Sequence, residues 1–195
     1  SELISLIVGK WHSYKDGDAD IKLTRRQTEL VRSTQTRLKV KGVAGSGKTL
    51  VIAYRAVEQY LRTGKRVLII TFNITLMQYI RMKINQVRAD FPTNMFEITN
   101  YHQFFHSMMV RYTGQNFGDA DDPEFFQKYA NDIQKYQSII IDEVQDFKSE
   151  WLRSIFTYFI EPKGSISVFG DGEQNIYDIP QEIDTHMPPI PTIRG

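Results

Sequence analysis

Apolar runs alternate along the chain with stretches of helical period. Leu38-Lys39-Val40 leads into a glycine-rich turn, and an amphipathic stretch from Lys48 to Leu61 follows, with Gly64 placed to end it as a C-cap. Arg66 to Thr71 is a β-branched run suited to a strand buried on both faces. From Ile74 to Val87 the residues Ile74, Met77, Ile80, Ile84 and Val87 recur at steps of three and four, which predicts a second helix. Phe96-Glu97-Ile98 is a short strand candidate. Tyr101 to Tyr112 and Glu124 to Tyr136 read as helices, the latter opened by Asp122-Pro123. Ser138 to Ile141 predicts another buried strand, Glu150 to Ile160 another helix, and Ser165 to Phe169 a last strand.

Strands separated by helical segments require crossovers and a mostly parallel sheet covered on both sides, so the expected fold class is α/β in three layers. Ligands of such folds bind at the carboxyl ends of the strands, the edge on which the polar signatures fall. Residues 113–123 read as a surface loop. From Ile179 onward the composition turns to proline and threonine and reads as an irregular tail. No internal repeat is present.

At 195 residues, 41% of them hydrophobic and 24% charged, the chain has the length of one domain and enough apolar mass for a core, which excludes a disordered protein. It has no cysteine, so disulfide frameworks and thiolate metal sites are excluded and a reducing cytoplasm is the expected compartment. The apolar runs are too short for a membrane span, and no membrane partner is expected. Net charge is only +1 but unevenly spread. Lys22 to Lys48 holds eight basic residues against Glu29 alone, and this run leads directly into a phosphate-binding pattern.

That pattern is Gly42-Val43-Ala44-Gly45-Ser46-Gly47-Lys48-Thr49, which fits G-x-x-x-x-G-K-[ST] at every fixed position. Glycines let successive backbone N–H groups curl round a phosphate, and the following helix adds its positive N-terminal end. Lys48 supplies a point charge for β and γ phosphates, and the Thr49 hydroxyl suits Mg²⁺. A second site must hold the metal and activate water. Asp142 and Glu143, at the tip of an apolar strand, supply it: Asp142 for Mg²⁺, Glu143 to orient or deprotonate the water.

Asp142-Glu143-Val144-Gln145-Asp146 resembles D-E-x-Q-D, the second signature of superfamily 1 helicases of the UvrD/Rep type, and further segments resemble that family's signatures in its order. Gln27, 15 residues ahead of Gly42, resembles the glutamine that reads adenine. Thr71-Phe72-Asn73 resembles the first strand-contacting signature, and Tyr101-His102-Gln103-Phe104 the T-F-H-S segment. Gly170 to Tyr177 resembles G-D-x-x-Q-x-I-Y. The resemblance implies a RecA-like P-loop core over 23–178, between an N-terminal extension (1–22) and the tail (179–195). It implies ATP and Mg²⁺ as cofactors, Gln174 sensing the γ-phosphate, and Phe72, Asn73, His102 and Tyr177 touching single-stranded DNA, with RNA left open. A second RecA-like domain of the same polypeptide is the implied partner.

The chain also departs from the family. Asn100 stands where threonine is usual, and Ile179-Pro180 where another aromatic is usual. Only 43 positions (142 − 99) separate Thr99 from Asp142, so the family's auxiliary insertion is expected to be short or absent. The second domain's arginines are not in these residues. The expectation is therefore the N-terminal portion of a longer helicase-like polypeptide, weakly active or inactive alone, whose intact form couples ATP hydrolysis to movement along single-stranded DNA. The alternative is an ATP-gated nucleic-acid or protein-binding switch that unwinds nothing. A small-molecule kinase would share the phosphate loop alone.

Overall fold

The computed structural model describes residues 15–16, 19–20, 23–43, 45–87, 92–114, 123–171 and 192–193. Strands β1 (Lys15–Asp16) and β2 (Ala19–Asp20) pair antiparallel as a ribbon of their own. The main sheet holds β3 (Arg37–Gly42), β4 (Val67–Thr71), β5 (Phe96–Asn100), β6 (Tyr136–Asp142), β7 (Ile160–Gly170) and β8 (Thr192–Ile193), in the order β5-β4-β6-β7-β3-β8. Every pairing in it is parallel. A parallel register brings Gly42, Thr71, Asn100, Asp142 and Gly170 to one edge. The three-layer α/β expectation holds.

Helices α1 (Arg25–Arg32), α2 (Lys48–Thr63) and α3 (Ile74–Val87) cover one face. Helices α4 (Tyr101–Thr113), α5 (Pro123–Lys128) and α6 (Ser149–Ser154) cover the other, together with a π-turn over Ile155–Phe159 that runs directly into β7. Alternation along the strands divides the core accordingly. Val67, Ile69, Ile140 and Phe169 pack with Val51, Ile52 and Ile80, whereas Leu68, Ile70, Ile139 and Ile141 pack with Tyr101, Phe104, Phe126 and Phe159. At about 1.5–3 kcal/mol for each large apolar side chain buried, these two layers dominate the drive to fold. The outer edge of β5 is partly covered by Arg81, which reaches from α3 to the Ile98 carbonyl at 2.9 Å.

Several boundaries differ from the sequence expectation, each for a local reason. The helix expected over Glu124 to Tyr136 stops at Lys128; turns follow through Asp132, and Tyr136 opens β6 with its hydroxyl donating to Glu97 at 2.6 Å. The helix expected to reach Ile160 gives way to the π-turn after Ser154. Strand β7 starts at Ile160, five residues earlier than expected, because a register shift between Tyr136 and Ser138 accommodates Pro162-Lys163-Gly164. Thr192–Ile193, placed in an irregular tail by composition, pairs with Lys41 and Gly42 as a sheet strand. The remainder of that tail, and most of the N-terminal extension, lie outside the described residues.

Helix α1 is anchored from below by a buried cation. Arg55, fully buried on α2, donates to the carbonyls of Leu30, Val31, Ser33 and Gln35 and, through Nε, to Ser167 Oγ at 2.7 Å. It thereby satisfies the orphan carbonyls at the end of α1. Burial lowers the guanidinium pKa to about 10, so it stays charged at neutral pH. Removing it strands several buried acceptors, each costing about 1–3 kcal/mol. Arg55→Ala should lower the urea unfolding free energy by more than about 3 kcal/mol. Arg55→Lys, which cannot fork, should recover only part of that loss.

Candidate functional site

Helix α2 begins where β3 ends, and its first turn is open. Gly47 occupies the N-cap position in the left-handed region (φ 83°) and no side chain caps the helix. By contrast, α1 carries a Thr24/Gln27 capping box and α4 is capped by Asn100, whose Oδ1 accepts from Gln103 N–H at 3.0 Å. The departure from threonine at position 100 thus preserves a capping group. Uncapped N–H groups with the helix dipole behind them suit an anion. A Cβ on Gly47 would lie 2.6 Å from Gln27 Nε2, so both backbone and space demand glycine there. Ser46 Oγ is buried without a hydrogen-bond partner among the described residues, and Lys48 Nζ turns back onto the Gly42 carbonyl at 2.7 Å. An orphan hydroxyl, open N–H groups and a lysine parked on a neutral carbonyl together fit a phosphate group. Val43 and Gly45 flank the turn exposed, Thr49 is half-buried in the first turn of α2, and Ala44 lies outside the described residues.

Asp142, at the tip of β6, is 1% exposed. Burial first, then the charge of Glu143, push its carboxyl up to about 7, against the Glu143 backbone N–H and the Lys48 charge, which lower it. The Lys48 charge acts on Asp142, and the parallel register sets the ends of β3 and β6 on one edge of the sheet. Glu143 is the only non-glycine residue with positive φ (51°) among the described residues. It opens a short 3₁₀ turn (Val144–Asp146), and its carboxylate receives Gln145 Nε2. Burial and the Glu143 charge also raise Asp146.

The remaining candidates divide. Gln27 reaches the loop, yet both ends of its amide are engaged: Oε1 accepts the Thr24 N–H at 2.9 Å and Nε2 donates to the Ser46 carbonyl at 3.2 Å. Reading a base edge would exchange the second bond. Phe72 is exposed and edge-on to Phe147 at 6.2 Å, while exposed His102 meets Trp151 at 5.0 Å. Asn73 is exposed, with its Oδ1 accepting the Thr75 N–H as it starts α3. Gln174 and Tyr177 lie outside the described residues. The basic run does not converge on the loop as a whole: Arg25 and Arg26 pair with Glu29, and Arg37 holds the Gly164 carbonyl at the opposite edge. Sequence reasoning gave no separate role to Gln145 or Ser46 Oγ. The capping box Thr24-x-x-Gln27 was a readable signal for α1.

Because folding raises Asp142 from 3.8 to about 7, the folded chain binds this proton more tightly than the unfolded chain. That stabilisation is complete below 3.8 and is lost as pH rises towards 7. Urea midpoints measured in EDTA should therefore decline over this window, and Asp142→Asn should remove that part of the slope. A slope unchanged by Asp142→Asn would contradict the assignment.

Among solved structures, the chain resembles the UvsW helicase of bacteriophage T4 (TM-score 0.61, 12% identity, covering 100% of this chain and 67% of that one). It also resembles the DUF1998 helicase MrfA bound to DNA (TM-score 0.54, 14% identity, 97% and 29%). A third likeness is a variant of the large terminase ATPase domain of Thermus phage P74-26 (TM-score 0.53, 13% identity, 100% and 85%). At these identities the likeness is one of fold, and the chain spans less than a third of the MrfA chain. A search of curated protein sequences finds no match. Among the described residues, no helix is long and apolar enough to cross a membrane. Residues 27–180 match the family profile described as an AAA domain, and with that match covering most of its length the chain belongs to this family.

Proposed function

We propose that this chain is the ATP-binding first motor domain of a UvrD/Rep-like DNA helicase, which in the intact protein couples ATP hydrolysis to movement on single-stranded DNA. One observation supports the reading: an uncapped helix start with an orphan buried hydroxyl and a desolvated carboxyl at the tip of β6 lie on the same edge of the parallel sheet. Lys48 would exchange the Gly42 carbonyl for β- and γ-phosphate oxygens, and the Gly45 to Lys48 N–H groups would line the phosphates, the Ser46 N–H first releasing the Val43 carbonyl. Thr49 and Asp142 would hold Mg²⁺, which when bound supplies positive charge to the β and γ phosphates. Among the described residues no three His, Cys, Asp or Glu side chains gather as a metal cage. Mg²⁺ at a nucleotide site takes few protein ligands and keeps several waters beside the phosphates. Glu143 would orient the attacking water and accept its proton, and Gln174 would sense the γ-phosphate.

Phe72 presents an aromatic ring at the same edge on which a base can stack, with Asn73 and His102 beside it and Tyr177 further along the sequence. MrfA, of similar fold, is seen on DNA. One observation favours the switch reading, in which ATP gates binding without unwinding: only 43 positions (142 − 99) separate Thr99 from Asp142, which leaves little room for the auxiliary insertion. Strand release by the polypeptide that carries this domain supports the helicase; hydrolysis without release supports the switch.

Lys48→Ala should weaken Mg-ATP binding at least tenfold by calorimetry, and unchanged affinity would reject the phosphate cradle. Glu143→Gln should keep that affinity and reduce single-turnover hydrolysis by about 10²-fold or more, the usual contribution of a positioned base. Affinity for single strands should fall steadily with salt, as phosphate contacts require.

A further inference from the structure

Gln145 is half-buried, and both ends of its side chain are engaged. Its Nε2 donates to Glu143 Oε2 at 2.5 Å, and its Oε1 accepts the backbone N–H of Asp171 at 3.2 Å. Chemistry forces this orientation, because a carboxylate only accepts and an N–H only donates. A reversed amide would set acceptor against acceptor and donor against donor. Glutamate could not donate to Glu143, and asparagine is one methylene too short to keep both contacts.

The two groups joined in this way belong to different parts of the site. Glu143 follows β6 and is held in a left-handed backbone conformation, with its N–H on Asp142 Oδ1 at 3.0 Å. Asp171 is the first residue after β7 and begins the sequence that runs on to Gln174. The 3₁₀ turn carrying Gln145 packs against β7. Glu143 lies among carboxylates, since its charge acts on both Asp142 and Asp146. The amide of Gln145 is a neutral donor that can fix the Glu143 carboxylate without neutralising it.

We propose that Gln145 is a positioning residue that ties the Glu143 carboxylate to the chain leaving β7, so that a change at Glu143 is transmitted to Asp171. The functional meaning rests on Glu143 acting on water, as proposed above; the tie itself does not. When a water or nucleotide draws the Glu143 carboxylate away, Gln145 loses its anchor and the Asp171 N–H loses its acceptor. The state of the phosphate site thereby reaches the segment beginning at Asp171 through one side chain.

The test is residue-resolved amide hydrogen exchange at Asp171 in the nucleotide-free chain. Gln145→Ala should speed this exchange about tenfold, as loss of one partly buried hydrogen bond implies. Glu143→Ala should speed it severalfold in the wild-type background and leave it unchanged in the Gln145→Ala background. Gln145→Met, which keeps the length and removes both polar ends, serves should the alanine variant not fold. Exchange at Asp171 that ignores Gln145, or that responds to Glu143→Ala equally in both backgrounds, overturns the proposal. In single-turnover hydrolysis, Gln145→Met should lower the rate constant about tenfold with ATP affinity within twofold, a split that general loosening would not give. If Glu143→Gln leaves hydrolysis intact, the reading of Glu143 fails while Asp171 exchange still decides the tie.

Discussion

A carboxyl group at the end of an apolar strand, shut away from water, is the constraint around which the functional edge of this domain is arranged. Asp142 follows Ile139-Ile140-Ile141 in the middle of the sheet and is almost fully buried. Desolvation disfavours its charge, and the adjacent Glu143 disfavours it further. Only two influences act the other way, the backbone N–H of Glu143 and the lysine at the head of α2. Beside Asp142, Glu143 leaves the strand through a left-handed conformation, and Lys48 rests beneath the loop on the Gly42 carbonyl.

The second dependence is on α1, which composition describes only as a basic, solvated stretch. It is held at its C-terminal end by Arg55 and at its N-terminal end by its own capping box. The same Gln27 that completes the box touches the Ser46 carbonyl, so the phosphate loop leans on a helix fastened to the floor of the molecule. A cation buried 25 residues along the chain from its carbonyl acceptor on Leu30 therefore bears on the geometry of the loop.

Much of the architecture was legible in the sequence because its strands are buried on both faces and its longer helices have strong apolar periodicity. Helix α3 begins and ends at the expected residues, and the phosphate loop could be placed between strand and helix from its glycines alone. Legibility failed where tertiary contacts decide. Helix α1 has a capping box as its local signal, but its C-terminal anchorage by Arg55 is something no local pattern reveals. The early start of β7 depends on a register shift against β6. The pairing of Thr192–Ile193 depends on a free flank of β3 rather than on a two-residue preference. At the site, spacing gave the types of group, whereas Gln145 as a bridge and Ser46 Oγ as an orphan emerge only from assembled geometry.

Strand β3 lies between β7 and β8, and the chain that leaves β7 at Gly170 rejoins the sheet on the far flank at Thr192. The root of the glycine turn is therefore straddled: Lys41 pairs with Gly170 on one side and Thr192 on the other. A pull applied anywhere between those two anchorages would arrive as shear across the strand that carries the turn. Mechanical load is thereby routed to the base of the turn rather than to its tip.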